Sequence, residues 1–163
     1  MDKTKTIDKN IKRGEGYDEK CIFCHWETQD VIFEDEKIVV FNDKYPMSRF
    51  HILVIPKDHI KNVNCLTNEH LNLLYYMKKN AIEQMLKKSN DIKESDMLFG
   101  FHVPPFNSIE HLHLHCIVPP YKNYYYYFVN TYLMFLSFDT CIENIKNNKY
   151  HWKIQNLLYS KKN

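Results

Sequence analysis

The stretch His111-Leu112-His113-Leu114-His115-Cys116-Ile117 places three histidines at alternate positions, with apolar residues between them. Side chains of a β-strand alternate between its two faces. On a strand the three imidazoles would therefore lie on one face, about 6.6 Å apart, with the leucines in a core. Two chemistries fit such a row: a three-histidine metal site, or a nucleophile with acid–base partners. The spacing alone does not separate them.

A Cys-x-x-Cys pair, Cys21 and Cys24, lies near the start of the chain. This spacing is typical of half of a zinc site or of a redox pair. A redox pair would belong to a βαβ unit, which the sequence does not show, and two reduced, buried thiols are the simplest alternative. The five cysteines are an odd number and no apolar segment follows Met1. We therefore expect no disulfide framework, and a location in the cytoplasm, or in the nucleus as well.

The composition argues against several functional classes. Lys and Arg total 22 against 20 Asp and Glu, and this near balance argues against a nucleic-acid partner. The three glycines, Gly14, Gly16 and Gly100, are too few and too scattered for a P-loop or a dinucleotide-binding fingerprint. The aromatic segment 124–138 is too short to cross a membrane, so no membrane partner is expected.

The length of 163 residues and the hydrophobic content of 44% predict one domain. We place it at residues 21–148, between a flexible, polar N-terminal tail (1–20) and a C-terminal tail (149–163).

Several elements are needed to hold the histidine row in place. β-Branched and aromatic runs predict strands at 37–41 and 51–56, and a shorter strand is expected at 97–103. A helix with an apolar stripe is predicted from Thr67, and a last helix is predicted to begin at a Ser137 cap.

These residues resemble the histidine triad (HIT) family, whose signature is His-φ-His-φ-His-φ-φ with φ apolar. The stretch 111–117 fits this signature without a gap. The resemblance also includes residues 51–59, the pair Ile22-Phe23 and the strand that ends near Asp43. Within the family, residues 100–109, which run directly into the histidine row, are similar to the third type of histidine triad nucleotide-binding protein.

The resemblance implies an α+β fold: an antiparallel sheet of about five strands with one long helix and a C-terminal helix, assembled as a homodimer. It also implies hydrolysis of AMP–N bonds in purine nucleoside phosphoramidates through a nucleotidyl-histidine intermediate, with no organic cofactor. His113, central in the row, would be the nucleophile, and His115 would protonate the leaving amine. Ser108 would bond the bridging atom, and His51 would support that face.

Other activities remain open at this point. Hydrolysis of dinucleoside polyphosphates or of adenylated DNA would use the same triad. A nucleotide-binding or partner-binding module with incidental turnover is an alternative of a different class.

Family precedent assigns further residues to the nucleotide. Ile22, Phe23 and Phe41 would enclose the purine. Asp43 would hold the ribose hydroxyls, although from the residues alone it could be a turn or capping aspartate. Asn107, together with Ser108, would touch the phosphate.

One position departs from the family pattern. Related first-type proteins carry an asparagine where this chain has Gly100. His102 is a candidate for the phosphate contact that this asparagine would make.

Distant relatives, the galactose-1-phosphate uridylyltransferases, bind zinc through a Cys-x-x-Cys pair and two histidines. The residues of this chain that resemble them are Cys21, Cys24, His59 and His111. The resemblance implies a structural zinc site with a closed tetrahedral shell, outside the nucleotide pocket. It would assign the first triad histidine to structure.

Overall fold

The computed structural model describes residues 13–125 and 134–149. Six antiparallel strands form one sheet in the order β1-β2-β3-β5-β4-β6. The strands are β1 (Val31–Glu34), β2 (Ile38–Asn42), β3 (Ser48–Pro56), β4 (Leu98–His102), β5 (Leu114–Tyr121) and β6 (Phe135–Ser137). The helices are α1 (Leu71–Leu86) and α2 (Phe138–Lys146). The α+β class with a long and a C-terminal helix is confirmed, and the expected count of about five strands was one too low.

The two faces of the sheet bury different sets of side chains, as alternation along each strand requires. One face packs against α1 and α2 and includes Ile38, Val40, Ile52, Val54, Leu114 and Cys116. The opposite face carries Val39, Phe41, Leu53 and Ile55, and the N-terminal segment around Cys21–Trp26 covers it. Residues 38–41 of β2 and 52–56 of β3 are buried on both faces and are continuous apolar runs.

The histidine row is not a strand along its whole length. β5 begins only at Leu114, so His115 lies within the strand while His111 and His113 precede it. The Leu112 amide donates to the Ile60 carbonyl (2.6 Å), so this approach is tied to the loop after β3 rather than to a sheet ladder. The leucines at 112 and 114 are buried in the core, as expected.

The N-terminal segment makes specific contacts from residue 13 onward, within the stretch predicted to be a tail. The Arg13 guanidinium donates to the Cys24 carbonyl (2.7 Å) and to both carboxylate oxygens of Glu27. The His59 amide donates to the Glu15 carbonyl (2.7 Å). Residues 1–12 and 150–163 of the predicted tails lie outside the described part of the chain.

The predicted helix starts are close to the observed ones. A 3-10 turn, Asn68–His70, follows Thr67, and α1 continues from it. The Ser137 side chain accepts a hydrogen bond from the Thr140 amide and caps α2, as predicted. Within the described residues, no helix is long and apolar enough to cross a bilayer.

Candidate active site and metal centre

Four side chains from separate parts of the sequence converge beside the sheet: Cys21, Cys24, His59 and His111. Their ligand atoms all lie within 4.8 Å of one another. The three close sulfur–nitrogen pairs, in which the nitrogen is Nδ1, are Cys21–His111 at 3.5 Å, Cys24–His59 at 3.3 Å and Cys24–His111 at 3.7 Å. A tetrahedral zinc ion with ordinary bond lengths separates its sulfur and nitrogen ligands by about 3.6 Å. The donor set therefore fits zinc in both chemistry and spacing.

In the environment of this quartet the thiols would ionise only with a positive partner nearby. Both cysteines are buried, and burial raises the pKa of the Cys24 thiol to about 11. A thiolate at that depth needs a positive partner. The Nε2 atom of His111 lies 2.9 Å from the Pro56 carbonyl, which holds the ring with Nδ1 toward the thiols.

His111 is thereby separated from the other two triad histidines. The Phe23 ring lies between the two sets, with its centroid 6.1 Å from that of His111 and 5.4 Å from that of His113. The rings of His113 and His115 lie together, with centroids 4.9 Å apart. The three histidines thus divide into His111, which lies with the two thiols, and His113 and His115, whose rings lie together.

His113 is held in one orientation by the backbone. Its Nδ1 lies 2.6 Å from the His111 carbonyl oxygen, which can only accept a hydrogen bond. The proton of a neutral ring is therefore on Nδ1, and Nε2 is left with its lone pair. Burial lowers the pKa of His113, which favours this neutral form. The geometry is that of an aimed nucleophile.

Asp43, His51 and His115 form a chain of polar contacts on the same face. The Met47 amide donates to His51 Nδ1 (3.2 Å), and His51 Nε2 lies 2.9 Å from His115 Nδ1. A neutral imidazole that accepts at Nδ1 carries its proton on Nε2, so His51 donates to His115, which keeps its own proton on Nε2. Burial lowers the pKa of His51 to about 4. Asp43 Oδ2, at 3.3 Å from His51 Nδ1, would stabilise an additional proton on the pair.

His102 and Phe135 complete the far side of this group. The His102 ring stands edge-on to His115, with centroids 4.6 Å apart, and the Phe135 ring lies 5.6 Å from His102 and 6.0 Å from His115. His102 Nδ1 and His115 Nε2 are buried and have no hydrogen-bond partner among the described residues. Unsatisfied buried nitrogens at a site face are positions where a ligand would bond.

The residues predicted to enclose a purine differ in accessibility. Phe23 packs edge-on against Phe41 with centroids 5.2 Å apart, and Phe41 is only 1% exposed. Ile22 is 53% exposed and borders a cavity of about 300 Å³ that Ser108 also lines. Phe41 thus supports Phe23 from below, and Ile22 offers the open apolar surface. A larger cleft of about 830 Å³, between residues 13–15 and the β1–β2 turn, contains none of the predicted site residues.

The remaining predicted residues lie around the same face. Asp43 accepts a hydrogen bond from the Tyr45 amide (2.8 Å), which is the contact of a turn aspartate, in addition to facing His51. The Asn107 side chain donates to the Ile109 carbonyl (3.4 Å) and lines a small cavity that also borders His113.

Sequence reasoning missed three contributors to this site: the Pro56 carbonyl, the Met47 amide and the Phe135 ring. The first two are backbone groups: every residue has a carbonyl and every residue but proline has an amide N–H, so no sequence signal marks them. The third lies on a strand of three residues, which is too short to show a periodicity in the sequence.

The profile described as "Scavenger mRNA decapping enzyme C-term binding" matches residues 20–125. The chain is 43% identical over 112 residues to the bifunctional adenosine 5′-phosphosulfate phosphorylase/adenylylsulfatase HINT4 of Arabidopsis thaliana, which covers 65% of this chain and 75% of that protein. It is 32% identical over 145 residues to adenosine 5′-monophosphoramidase HINT3 of Xenopus tropicalis, which covers 83% of this chain and 94% of that protein.

Solved structures agree with the fold. A HIT family hydrolase from Legionella pneumophila Philadelphia 1 superposes with a TM-score of 0.55 and 27% identity, over 64% of this chain and 96% of that one. An aprataxin ortholog, Hnt3, in complex with DNA superposes with a TM-score of 0.57 over 76% of this chain and 72% of that one, but at 22% identity this likeness concerns the fold alone.

An antiparallel sheet that presents the HIT signature on one face defines the class of histidine triad proteins. The chain belongs to the histidine triad family, as its signature predicted. Its relatives and structural neighbours support the predicted enzyme class, a hydrolase of this family.

Proposed function

We propose that this protein hydrolyses AMP–N bonds in purine nucleoside phosphoramidates through a nucleotidyl-histidine intermediate. The observation that carries the proposal is the pairing of two differently held imidazoles. His113 has its proton tied to a carbonyl and its Nε2 lone pair free, and His115, 4.9 Å away, has its proton on a free Nε2. One ring is arranged to attack and the other to donate a proton. The 32% identical monophosphoramidase supports this choice of substrate.

The first step forms the bond between His113 Nε2 and the α-phosphorus and breaks the P–N bond. The leaving nitrogen keeps the bonding electron pair and takes a proton from His115 Nε2. Before this step the His51–His115 pair holds one extra proton. The negative phosphate and Asp43 raise the pKa of the pair when substrate is bound. After the transfer, the pair is neutral and the amine leaves.

The second step is attack of water on the nucleotidyl-histidine. The water gives its proton to the neutral His51–His115 pair, the bond from phosphorus to His113 Nε2 breaks, and AMP is released. The ring of His113 returns to its neutral form with Nδ1 still bonded to the His111 carbonyl. The pair regains the proton that it lost in the first step, so the cycle is balanced.

The nucleotide would lie along the face from Phe23 to Ser108. Ile22 and Phe23 would contact the purine, with Phe41 behind them, and the cavity that Ile22 and Ser108 share supports this placement. Asp43 would accept hydrogen bonds from the ribose hydroxyls. The loop residue Asn107, with Ser108, would contact the phosphate, and Ser108 would bond the bridging atom.

The zinc site is a separate part of the proposal and takes no part in the reaction. Cys21, Cys24, His59 and His111 would hold one structural zinc ion, because their donor atoms have the chemistry and spacing of a closed tetrahedral shell. When bound, zinc would fix the N-terminal segment to the sheet. It would also fix the backbone of His111, whose carbonyl orients His113.

Adenosine 5′-phosphosulfate is a second candidate substrate, because the 43% identical relative is a phosphorylase and sulfatase of that compound. Sulfate is a good leaving group that needs no proton. The same nucleotidyl-histidine would form, with less dependence on His115.

The decisive variant is His113→Ala. We expect loss of hydrolysis of adenosine 5′-phosphoramidate by more than about 10³-fold, with AMP affinity changed by less than a few fold, since the nucleophile acts mainly in the transition state. Mass spectrometry of rapidly quenched wild-type protein should show a mass increase of one adenylyl group, located on His113. His70→Ala, at a half-buried histidine in the turn before α1, is the matched control and should keep full activity. Turnover that survives in His113→Ala without any adduct in wild type would reject the mechanism.

A further inference from the structure

The outer edge of β4 is occupied by a strand of the same chain. β6 pairs with β4 so that Gly100 faces Ser137, Phe101 faces Leu136 and His102 faces Phe135. The Val103 amide also donates to the Met134 carbonyl (3.1 Å). The other edge of β4 pairs with β5, the strand that carries His115. β6 therefore lies two strands away from β5.

Gly100 is what allows β6 to come this close. A Cβ atom at position 100 would overlap the Phe135 ring and the Leu136 carbonyl oxygen. Because Gly100 is also the direct cross-strand partner of His115, the space that a side chain would fill lies on the face of the triad. The Phe135 ring fills that space instead.

Phe135 and His102 together make a wall beside His115. Both rings meet the His115 ring edge-on, with centroids 6.0 Å and 4.6 Å away. The buried Nδ1 of His102 has no partner among the described residues, and neither has Nε2 of His115. The purine would be placed beside Phe23. The wall lies on the opposite side of His115 from Phe23.

The wall has little positive charge. Burial, the largest influence, lowers the pKa of His102 to about 4. The charged groups that act most strongly on it are His113, His51 and Asp43, and neither Lys nor Arg is among them. A flat, apolar group would meet two aromatic edges on these rings.

We propose that His102 and Phe135, set in place by Gly100, form a leaving-group subsite that accepts amines carrying a flat, apolar group, such as arylamines. The inference rests on the proposed phosphoramidase function and specifies its leaving group. His102 Nδ1 would bond the amine nitrogen, and Phe135 would pack against the apolar group.

The test compares two substrates that share the adenylyl group. Adenosine 5′-phosphoramidate (the amidate) releases ammonia, and adenosine 5′-(N-phenyl)phosphoramidate (the anilide) releases aniline. Loss of one edge-to-face aromatic contact corresponds to about 3- to 10-fold. Phe135→Ala should lower kcat/KM for the anilide by about that factor and for the amidate by less than twofold. Phe33→Ala, a half-buried aromatic on β1, is the matched control and should leave the ratio unchanged.

Gly100→Ala should shift the ratio in the same direction as Phe135→Ala, since a methyl group would overlap the Phe135 ring and the Leu136 carbonyl oxygen and displace β6. Phe135→Ala should change neither AMP affinity nor the rate of adenylyl-enzyme hydrolysis, because no leaving group is present in either measurement. If Phe135→Ala does not fold, Phe135→Leu, which keeps the apolar volume but not the ring edge, provides the same comparison.

The outcomes separate the two proposals. A wild type that hydrolyses neither phosphoramidate would overturn the proposed function. A wild type that hydrolyses both, with an anilide-to-amidate ratio that the Phe135 and Gly100 variants leave unchanged, would overturn the subsite alone. His102→Phe, which keeps the ring and removes its nitrogens, should slow both amidates at the adenylylation step only. An equal effect on adenylyl-enzyme hydrolysis would also count against the subsite.

Discussion

The three imidazoles of the triad differ because each has one nitrogen tied to a different partner. His111 gives Nε2 to the Pro56 carbonyl and turns Nδ1 to the thiols. His113 gives Nδ1 to the His111 carbonyl and keeps Nε2 free, and His115 receives His51 at Nδ1 and keeps its Nε2 free. Since the tied nitrogen fixes which nitrogen remains available, single hydrogen bonds can suit one residue type to the three roles that we propose.

The assignment of His115 as proton donor predicts a dependence on the leaving group. His115→Asn should lower the rate of adenylylation by about 10²–10⁴-fold for a phosphoramidate, whose amine must be protonated. The loss should be much smaller for a substrate that releases p-nitrophenolate. Stopped-flow measurement of both steps with both substrates checks this. Equal losses for the two leaving groups would assign His115 to binding rather than to proton transfer.

At this scale the sequence predicted types and spacings better than orientations. Cys21, Cys24, His59 and His111 come together in space, as the resemblance implied. Strand periodicity, however, does not show which way each ring is turned, and the structure directs Nδ1 of His111 to the thiols. A hydrogen bond to a backbone carbonyl 55 positions away orients this ring, and it has no signature in the sequence.

At the scale of elements, the strands rich in β-branched and aromatic residues were predictable, and the three-residue strand β6 was not. β2 and β3 are continuous β-branched runs that bury both faces, and the structure confirms them. β6 is only three residues long, so it has too few positions to show a periodicity. It is stable because it pairs with β4, a long-range contact that depends on the absence of a side chain at Gly100.

The zinc proposal concerns how the N-terminal segment is held against the sheet. Elemental analysis of protein purified without a histidine tag should find about one zinc per chain. The double variant Cys21→Ser/Cys24→Ser should lose it, together with at least about 5 °C in Tm, since a ligand that binds only the folded state stabilises it. Cys65→Ser, at an exposed thiol, is the control and should change neither. A metal-free native protein whose Tm is indifferent to chelator would contradict the site.

For the whole molecule, the buried histidines predict a loss of stability in acid. His51 and His102 have pKa values of about 4 in the folded state, mainly because they are buried, against about 6.5 when unfolded. Between these values the unfolded chain binds protons that the folded chain excludes, so stability is complete above about pH 6.5 and falls as the pH approaches 4. Each group contributes at most about 3 kcal/mol.

Urea unfolding at pH 7, 6, 5 and 4.5 measures this dependence. His102→Phe removes one of the two groups, so the slope of unfolding free energy against pH should decrease by up to about 1.4 kcal/mol per pH unit in the acid range. Comparing the two proteins at each pH cancels any contribution of the cysteine–histidine quartet, which both proteins contain. Parallel curves for wild type and His102→Phe would show that His102 is not held neutral by the fold.

The predicted homodimer concerns the surfaces that the fold leaves open. β6 pairs with residues 100–102 of β4 and blocks continuation of the sheet along that part of the strand, and among the described strands β1 and β6 are the edges. Apolar side chains remain exposed on α1 and at the start of β4, where Tyr75 is 47% and Leu98 is 42% exposed. Strand alternation places Leu98 on the sheet face opposite α1, because Phe99 and Phe101 pack into the helix-side core. A contact around the open end of β4 would bury Tyr75 and Leu98 together. We therefore predict an interface that includes α1 and this end of β4.

Light scattering at micromolar concentration should give twice the chain mass of 19.8 kDa, and Leu98→Arg should reduce it to one chain. The arginine would place a charge in an apolar contact, where burial without a partner costs several kcal/mol. Tyr45→Arg, at a side chain 73% exposed in the β2–β3 connection, should remain dimeric. The site groups described here, from Phe23 to Phe135, all come from one chain, so the Leu98→Arg monomer should keep its adenylylation activity. A wild type that is monomeric at micromolar concentration and fully active would contradict the dimer.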